Sequence, residues 1–363
     1  MLLVQKILGE YHSSLEEDSF ADVGVYLKRS KEYSNLIMLK YDQIEANWEI
    51  PWIHECRGII LDEADNFRVV CYTYPKFFNV GEKWAAPVDT TQAKVMDKLD
   101  GILIQLYYYR GQWRIATSGT PDAMTPVGNH PFSFRDLFFQ HVTQEQLKQL
   151  DTNCCYALEL MSPYNRIVIP YQEVSVALHG VRDLTSLQEK DPAEYSHVFK
   201  LPKFFDSASV EELKNIANTS SGIELEGFVV YDGKHRVKIK GDPYVYLHHC
   251  ISSTSDKNLM NLVRSGESSE FLTYFPHLKD NFNKYSQQID DLEKSTVALW
   301  SELKPALSSS RKDFALALQS KRPKCAGYLF KCADAVSKGH HEPHFKHWLN
   351  EISENSYFSL FVT

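Results

Sequence analysis

Lys98-Leu99-Asp100-Gly101 runs directly into the alternating apolar segment 102–109, which puts a lone lysine on a turn entering a strand. A lysine amine can act as a nucleophile in covalent catalysis. Downstream, Glu159, Glu226 and the pair Lys238/Lys240 supply the carboxylates and cations that attack on a nucleoside triphosphate requires. Lysine with an ordinary pKa of about 10.4 is ammonium at neutral pH, so nearby positive charge or desolvation must lower it. Lys238, Lys240 and a bound metal ion are candidates for that role. Attack on the α-phosphate gives a phosphoramide and releases pyrophosphate. The bland alternative for Lys98 is a solvated lysine beside a hairpin, and a motif this short gains weight only from its company.

The companions carry the same two readings. Segments 226–230 and 237–240 form two arms of one hairpin. A three-residue loop Asp232-Gly233-Lys234 would put Glu226 and Phe228 on one face with Lys240 and Lys238, whereas a two-residue Asp-Gly turn breaks that alignment. Functionally, Glu226 takes a metal or its water while the lysines neutralise phosphate oxygens; otherwise the hairpin is a wet, amphipathic edge. Glu159, in the strand-like 156–160, is a half-buried carboxylate wanting a ribose hydroxyl or a metal, or it faces solvent. Segment 161–168 reads as a turn and the next strand. Arg57 precedes an apolar strand and suits phosphate oxygens or a partner such as Glu55 or Asp62. Lys76 and Phe78 fit a groove or a core equally well. His340 to His347 tempts a zinc reading, but no cysteine or second carboxylate completes a ligand set, so solvated histidines near a helix start are favoured.

The elements that must hold these residues are legible as periods. Most of residues 36–247 alternates in short segments, with hairpin signals at Asp65-Asn66, Arg110-Gly111 and Asp232-Gly233. Helical stretches are expected over 133–150 and 209–217. After Ser252-Ser253-Thr254-Ser255, Phe282, Tyr285, Ile289, Leu292, Thr296 and Leu299 recur at helical spacing. A second helical group over 313–352 follows Ser308-Ser309-Ser310. The fold class expected is α+β with antiparallel sheets over 1–250, followed by an all-α domain over 251–363.

Composition narrows the function. With 363 residues, a net charge of −8 and seven cysteines without Cys-x-x-Cys spacing, the chain fits two globular domains in a reduced compartment rather than a disulfide scaffold or a histone-like coat. No window approaches the 18 or so apolar residues of a membrane span, and Met1 to Lys6 lacks a secretory pattern, so no membrane partner and a cytoplasmic location are expected.

Taken in order, Lys98-x-Asp100-Gly101, Glu159, Glu226-Gly227 and Val237-Lys238-Ile239-Lys240 resemble nucleotidyl motifs I, III, IV and V of the covalent nucleotidyltransferases, the ATP-dependent ligases and capping enzymes. Cys56-Arg57-Gly58-Ile59, Lys76-Phe77-Phe78-Asn79 and segment 162–168 resemble the phage-type RNA ligase 1 branch, over about residues 50 to 250. The resemblance implies an AMP bond on Lys98, ribose and metal contacts at Glu159, metal at Glu226, and triphosphate contacts at Lys238 and Lys240. It places Leu99, Asp100, Gly101, Gly227, Arg57, Lys76 and Phe78 around the nucleotide. It further implies ATP with Mg2+, or Mn2+ in its place, and RNA with 5′-phosphate and 3′-hydroxyl ends, such as broken tRNA. A link to an end-healing kinase-phosphatase, and the host cytoplasm if the chain is phage-encoded, follow on the same basis. Thr117-Ser118-Gly119-Thr120 carries no cation where the branch is expected to have one. Helices after Lys240, in place of an oligonucleotide-binding barrel, disfavour DNA ligases and capping enzymes. A capping-type guanylyltransferase and a noncatalytic RNA-binding protein remain the alternatives. Lys304, Arg311, Lys312, Lys321, Arg322 and Lys324 of the helical domain either meet an RNA backbone or form a solvated face.

Overall fold

The computed structural model describes residues 1–10, 15–206, 208–251, 256–266, 272, 278–308 and 310–361. Its strands form three antiparallel sheets. The first runs β1 (Val25–Arg29), β2 (Leu36–Tyr41), β3 (Arg57–Asp62), β4 (Arg68–Cys71) in that order. The β3–β4 reversal uses Asn66 and Phe67 at φ 47° and 53°. In the second sheet β10 (Glu189–Lys190), β9 (Ser175–Asp183), β8 (Cys154–Met161), β6 (Ile102–Tyr109) and β7 (Gln112–Thr117) lie side by side. Arg110 and Gly111, both at positive φ, close the β6–β7 hairpin as their types suggest. The third sheet is β11 (Phe204–Phe205), β5 (Lys94–Asp97), β12 (Gly227–Tyr231), β13 (Arg236–Lys240).

Helices begin at side-chain caps. Ser133 accepts the Asp136 N–H to start α2 (Phe134–His141), as Ser209 does with Glu212 for α4 (Val210–Thr219), while the short α1 (Leu3–Gly9) precedes the sheets. The single helix expected over 133–150 is two: Val142 turns extended and Thr143 caps a new turn, α3 (Gln144–Leu147). A β-branched residue followed by a Thr cap is a local break that apolar periodicity alone conceals. Residues 242–247, at the end of the region read as mostly alternating, lie in the helix α5 (Asp242–Ile251). One further expectation fails. No strand forms at Ile167-Val168; a short 3-10 turn, Pro163–Asn165, is followed by irregular backbone whose N–H groups find a side chain, described below.

The chain divides into two compact units, Met1–Ser253 and Thr254–Thr363. In the second, helices Lys279–Leu303, Arg311–Lys321, Ala326–Ser337 and Phe345–Glu351 surround Phe282, Trp300, Phe314, Leu329, Phe345 and Tyr357, with no strand among the described residues. The serine stretches at 252–255 and at Ser309 lie outside the described residues. Three of the six cations singled out in this unit are matched by carboxylates: Lys304 to Glu342 at 2.6 Å, Arg311 to Asp334 at 2.5 Å and Lys321 to Glu302 at 2.6 Å. His347 pairs with Glu351 at 3.4 Å, and His344 stands at the N-cap of its helix. No helix of the described residues is long and apolar enough to cross a membrane.

The third sheet depends on Gly227, whose φ is 150° and where a β-carbon would come within 1.9 Å of the Ile239 carbonyl oxygen. We expect Gly227→Ala to lose at least about 3 kcal/mol in urea unfolding, since backbone rather than a flexible side chain stands in the way. A loss under about 1 kcal/mol would mean that the β12–β13 ladder relaxes freely.

Candidate active site

Lys98 occupies the crossover from the third sheet to the second: β5 ends at Asp97, the Lys98 N–H donates to the Gly227 carbonyl at 2.9 Å, and β6 begins four residues later. Its ammonium lies 2.7 Å from Glu226 Oε1, a carboxylate only 2% exposed. Lys240 Nζ is 3.4 Å from the same oxygen. Burying a charge is costly unless it is paired, and here two cations, one from the crossover after β5 and one from the end of β13, share one carboxylate. Burial and the Glu226 charge push the carboxyl of the adjacent Asp97 up to about 6, against the pull of Lys203 and Lys98.

The hairpin register is neither of the two that the sequence leaves open. Asp232 N–H donates to the His235 carbonyl, so the chain turns at Gly233-Lys234, and Gly227 pairs with Lys240, Phe228 with Ile239 and Val229 with Lys238. Phe228 therefore shares the buried face with Val237 and Ile239 instead of facing the lysines. Glu226 still meets Lys240, because Gly227 at φ 150° breaks the strand's alternation.

The segment following β4 gathers the sheets. Thr73 Oγ1 donates to Gln105 Oε1 at 2.9 Å and Tyr74 OH donates to the His179 carbonyl at 2.7 Å. Lys238 N–H donates to the Phe78 carbonyl at 3.1 Å and Val80 N–H returns to the Lys238 carbonyl at 2.9 Å. This draws Lys76 and Phe78 to the lysine-bearing sheet. Lys76 Nζ lies 5.0, 5.3 and 4.9 Å from the ring centres of Tyr41, Trp48 and Phe78, an aromatic enclosure for a cation. The Arg57 guanidinium lies 5.2 Å from the Phe77 ring centre, and its buried Nη1 has no hydrogen-bond partner among the described residues. Asn79, 1% exposed, likewise leaves both amide atoms unpartnered. Sequence reasoning takes in Asn79 as part of its segment without singling it out, since nothing in the pattern reveals an unmet amide.

Glu159 stands opposite Leu103 on β8, on the same face as Gln105, with Oε2 3.4 Å from His179 Nε2. His179 escapes a reading of the sequence because it is the extra residue in a β8–β9 register shift, which periodicity does not show. Gly101 is pressed against this strand: a β-carbon there would be 2.7 Å from the Leu160 carbonyl oxygen and 2.9 Å from Glu159 Cγ. Leu99 is half-buried in the same turn. Asp100 behaves differently from its neighbours. At 3% exposure its carboxylate accepts the N–H groups of Val168 and Ile169 at 2.9 and 2.6 Å and the Tyr244 hydroxyl at 2.7 Å. It anchors the irregular 166–169 backbone to the lysine turn.

Among the described residues no group of three or more His, Cys, Asp or Glu could hold a metal ion by itself. Asp97 and Glu226 interact electrostatically beside Lys98. That donor set fits magnesium, which takes one or two carboxylates and completes its shell with water and substrate phosphates.

With this geometry in place, comparison with known proteins gives the family. The family model described as RNA ligase matches residues 55–246, just over half of the chain, so the chain belongs to that RNA ligase family. It is 27% identical over 340 residues to a protein provisionally named a bifunctional polynucleotide kinase/RNA ligase of Autographa californica nuclear polyhedrosis virus, covering 86% of this chain and 47% of that one. The chain thus spans about half the length of that relative. It is 25% identical to an RNA ligase of Rhodothermus phage RM378, over 79% of this chain and 83% of the other. An archaeal ATP-dependent RNA ligase structure matches at 12% identity and a TM-score of 0.45, covering 76% of this chain and 78% of that one.

Asp100→Ala should cost about 3 kcal/mol, leaving two backbone donors and a hydroxyl unmet, and Tyr244→Phe about 1 kcal/mol. Amide hydrogen exchange at Val168 and Ile169 should accelerate in the alanine variant; unchanged exchange there would show that Asp100 does not anchor the segment.

Proposed function

We propose that this chain is an ATP-dependent RNA ligase that seals 5′-phosphate to 3′-hydroxyl ends, acting in the cytoplasm with Mg2+ or Mn2+. The observation that carries the reading is the Lys98–Glu226–Lys240 cluster, in which a lysine at a strand entry lies within hydrogen-bond reach of a buried carboxylate beside a second cation. Lys98 Nζ attacks the α-phosphorus of ATP. The N–P bond forms as the bond to the bridging oxygen breaks, and pyrophosphate leaves with the electron pair. At 2.7 Å, Glu226 Oε1 is placed to take the amine proton. An RNA 5′-phosphate oxygen then attacks the same phosphorus and frees the lysine. In the third step an RNA 3′-hydroxyl oxygen attacks the 5′-phosphorus, losing its proton as AMP departs. A divalent cation held by Asp97 and Glu226 would supply charge neutralisation on the phosphates.

Glu159 suits the ribose, and Lys238 with Lys240 suit the triphosphate, since both lysines lie on the face of β13 opposite buried Val237 and Ile239. The unit from Thr254 onward has its own core, which supports a separate role in choosing among RNA ends, broken stem-loops such as tRNA included. The viral relative named for both kinase and ligase supports a link to a separate activity that prepares 5′-phosphate ends.

Incubation with α-labelled ATP and magnesium, followed by denaturing electrophoresis, should show a covalent AMP adduct that Lys98→Ala and Lys98→Arg both abolish, because arginine stays protonated. Labelling from GTP in place of ATP would indicate a guanylyltransferase, and RNA binding without any adduct a noncatalytic protein. A chain ending near Ser255 should still form the adduct while losing its preference for a broken stem-loop over a plain single strand. If it seals all RNAs with unchanged relative rates, the helical unit is not a specificity element.

A further inference from the structure

Three cations of the first sheet, Lys28, Lys40 and Arg57, form no ion pair among the described residues, and of these Lys28 is exposed while Lys40 and Arg57 are half-buried. Lys40, on β2, is the ladder partner of Arg57, on β3, so the two side chains emerge on one face. Alternation along β2 shows which face that is. Ile37, Leu39 and Tyr41 enter one core, whereas Leu36 and Met38, on the side of Lys40, pack with Tyr107 and Ala116 of the second sheet. The ladder shifts beside this pair: Leu39 faces Ile59 and Lys40 faces Arg57, leaving Gly58 as the extra residue at φ 80°. A bulge of this kind re-aims the neighbouring side chain.

The same place is where the turn after β7 arrives. A β-carbon on Gly58 would lie 3.2 Å from Ser118 Cα, and Lys40 Nζ is 3.4 Å from the position a β-carbon on Gly119 would take. Thr117 pairs with Ile104, so this turn leaves the second sheet about three residues, or roughly 10 Å, from the Lys98-to-Gly101 turn that enters it. The stretch 117–120 has no cation of its own, and the fold delivers one from a strand some eighty residues earlier in the sequence.

Lys40 makes no ion pair or side-chain hydrogen bond among the described residues, and one nitrogen of Arg57 is buried without a partner. Burial holds the Lys40 ammonium below its ordinary value and Lys28 adds to this, with only Tyr41 and Asp42 pulling the other way. Cations at paired positions of one ladder, with Lys40 half-buried and one Arg57 nitrogen out of water, are costly in isolation and become favourable once a multiply charged anion reaches both.

We propose that Lys40 and Arg57 form the seat for the terminal phosphates of the nucleotide, holding the pyrophosphate as it leaves the α-phosphorus, with Lys40 as a binding residue of the adenylation step. This rests on the ligase reading above. Half-buried where the first sheet meets the second, Lys40 and Arg57 suit the free end of a triphosphate better than the continuous backbone of RNA, whose phosphates are the other source of the same chemistry.

The test uses the full chain, with Lys40→Met and the charge-keeping Lys40→Arg, both checked for folding by circular dichroism; Lys40→Gln replaces Lys40→Met if that variant does not fold. In Lys40→Met, kcat/KM for ATP in adduct formation should fall about 10- to 100-fold, the loss of one charge-assisted contact. Discharge of preformed AMP-lysine by added pyrophosphate should fall similarly, while sealing of pre-adenylated RNA stays within about twofold of wild type. Lys40→Arg should recover most of both losses. Inorganic pyrophosphate should raise the melting temperature of the wild type and not of Lys40→Met. An unchanged KM for ATP, an unchanged pyrophosphate shift, or an equal loss in sealing of pre-adenylated RNA each overturns the assignment, the last by moving Lys40 to the RNA. A wild type that takes no label from ATP counts against the ligase reading, and the pyrophosphate shift then still decides the role of Lys40.

Discussion

Glu226, 2% exposed and held between Lys98 at 2.7 Å and Lys240 at 3.4 Å, is the constraint around which the candidate site is arranged. A carboxylate taken out of water is tolerable only with its charge answered and its oxygens bonded. The answer comes from two strands at once, the end of β5 and the end of β13, with β12 between them. Its side chain has to turn toward Lys240, which an alternating strand of ordinary residues would not permit; Gly227 supplies the backbone conformation. The Lys98 N–H bond to the Gly227 carbonyl then fixes the Lys98 main chain to the residue that makes the turn possible. The chemistry of the cluster and the folding of the third sheet are thus one problem with one solution.

Segment 72–80 extends that constraint outward. It touches the second sheet through Thr73–Gln105 and Tyr74–His179 and the third through Phe78–Lys238 and Val80–Lys238. An extended segment with main-chain and side-chain bonds to two sheets cannot slide without breaking several bonds together. Lys76 and Phe78 are placed by it, and Arg57 by β3, the neighbour of the strand it leaves.

Much of this was legible in the sequence, and the exceptions have physical causes. Turn chemistry marked the reversals at Asn66, Arg110-Gly111 and Gly233, because positive φ restricts residue type. Helical spacing from Phe282 to Leu299 marked the Lys279–Leu303 helix. The register of the β12–β13 hairpin was left open between two loops and is a third, since Asp232-Gly233-Lys234 is compatible with several loop lengths and only the Asp232–His235 bond selects among them. β1 went unseen because Val25, Tyr26 and Leu27 are all buried and show no alternation. Lys40 and His179 were invisible for a related reason: each matters through a register shift, and a shift is a property of two strands rather than of one.

A chain with a net charge of −8 can still handle polyanions if its cations are left unmatched where they are needed. The two units differ in this respect. In the first, Arg57 keeps a buried nitrogen unpartnered, Lys76 is enclosed by rings instead of carboxylates, and Lys40 has no ion-pair partner among the described residues. In the second, Lys304, Arg311 and Lys321 are each matched to a carboxylate of their own unit. A matched cation offers a phosphate little, because the new contact must displace an existing one of similar strength. Exposed Lys312, Arg322 and Lys324 are what remains of the expected basic group, too few for strong nonspecific attraction. Any selection of RNA by the helical unit then rests more on shape than on charge, whereas in the sheets the fold has kept Lys40 and Arg57 without an ion pair among the described residues.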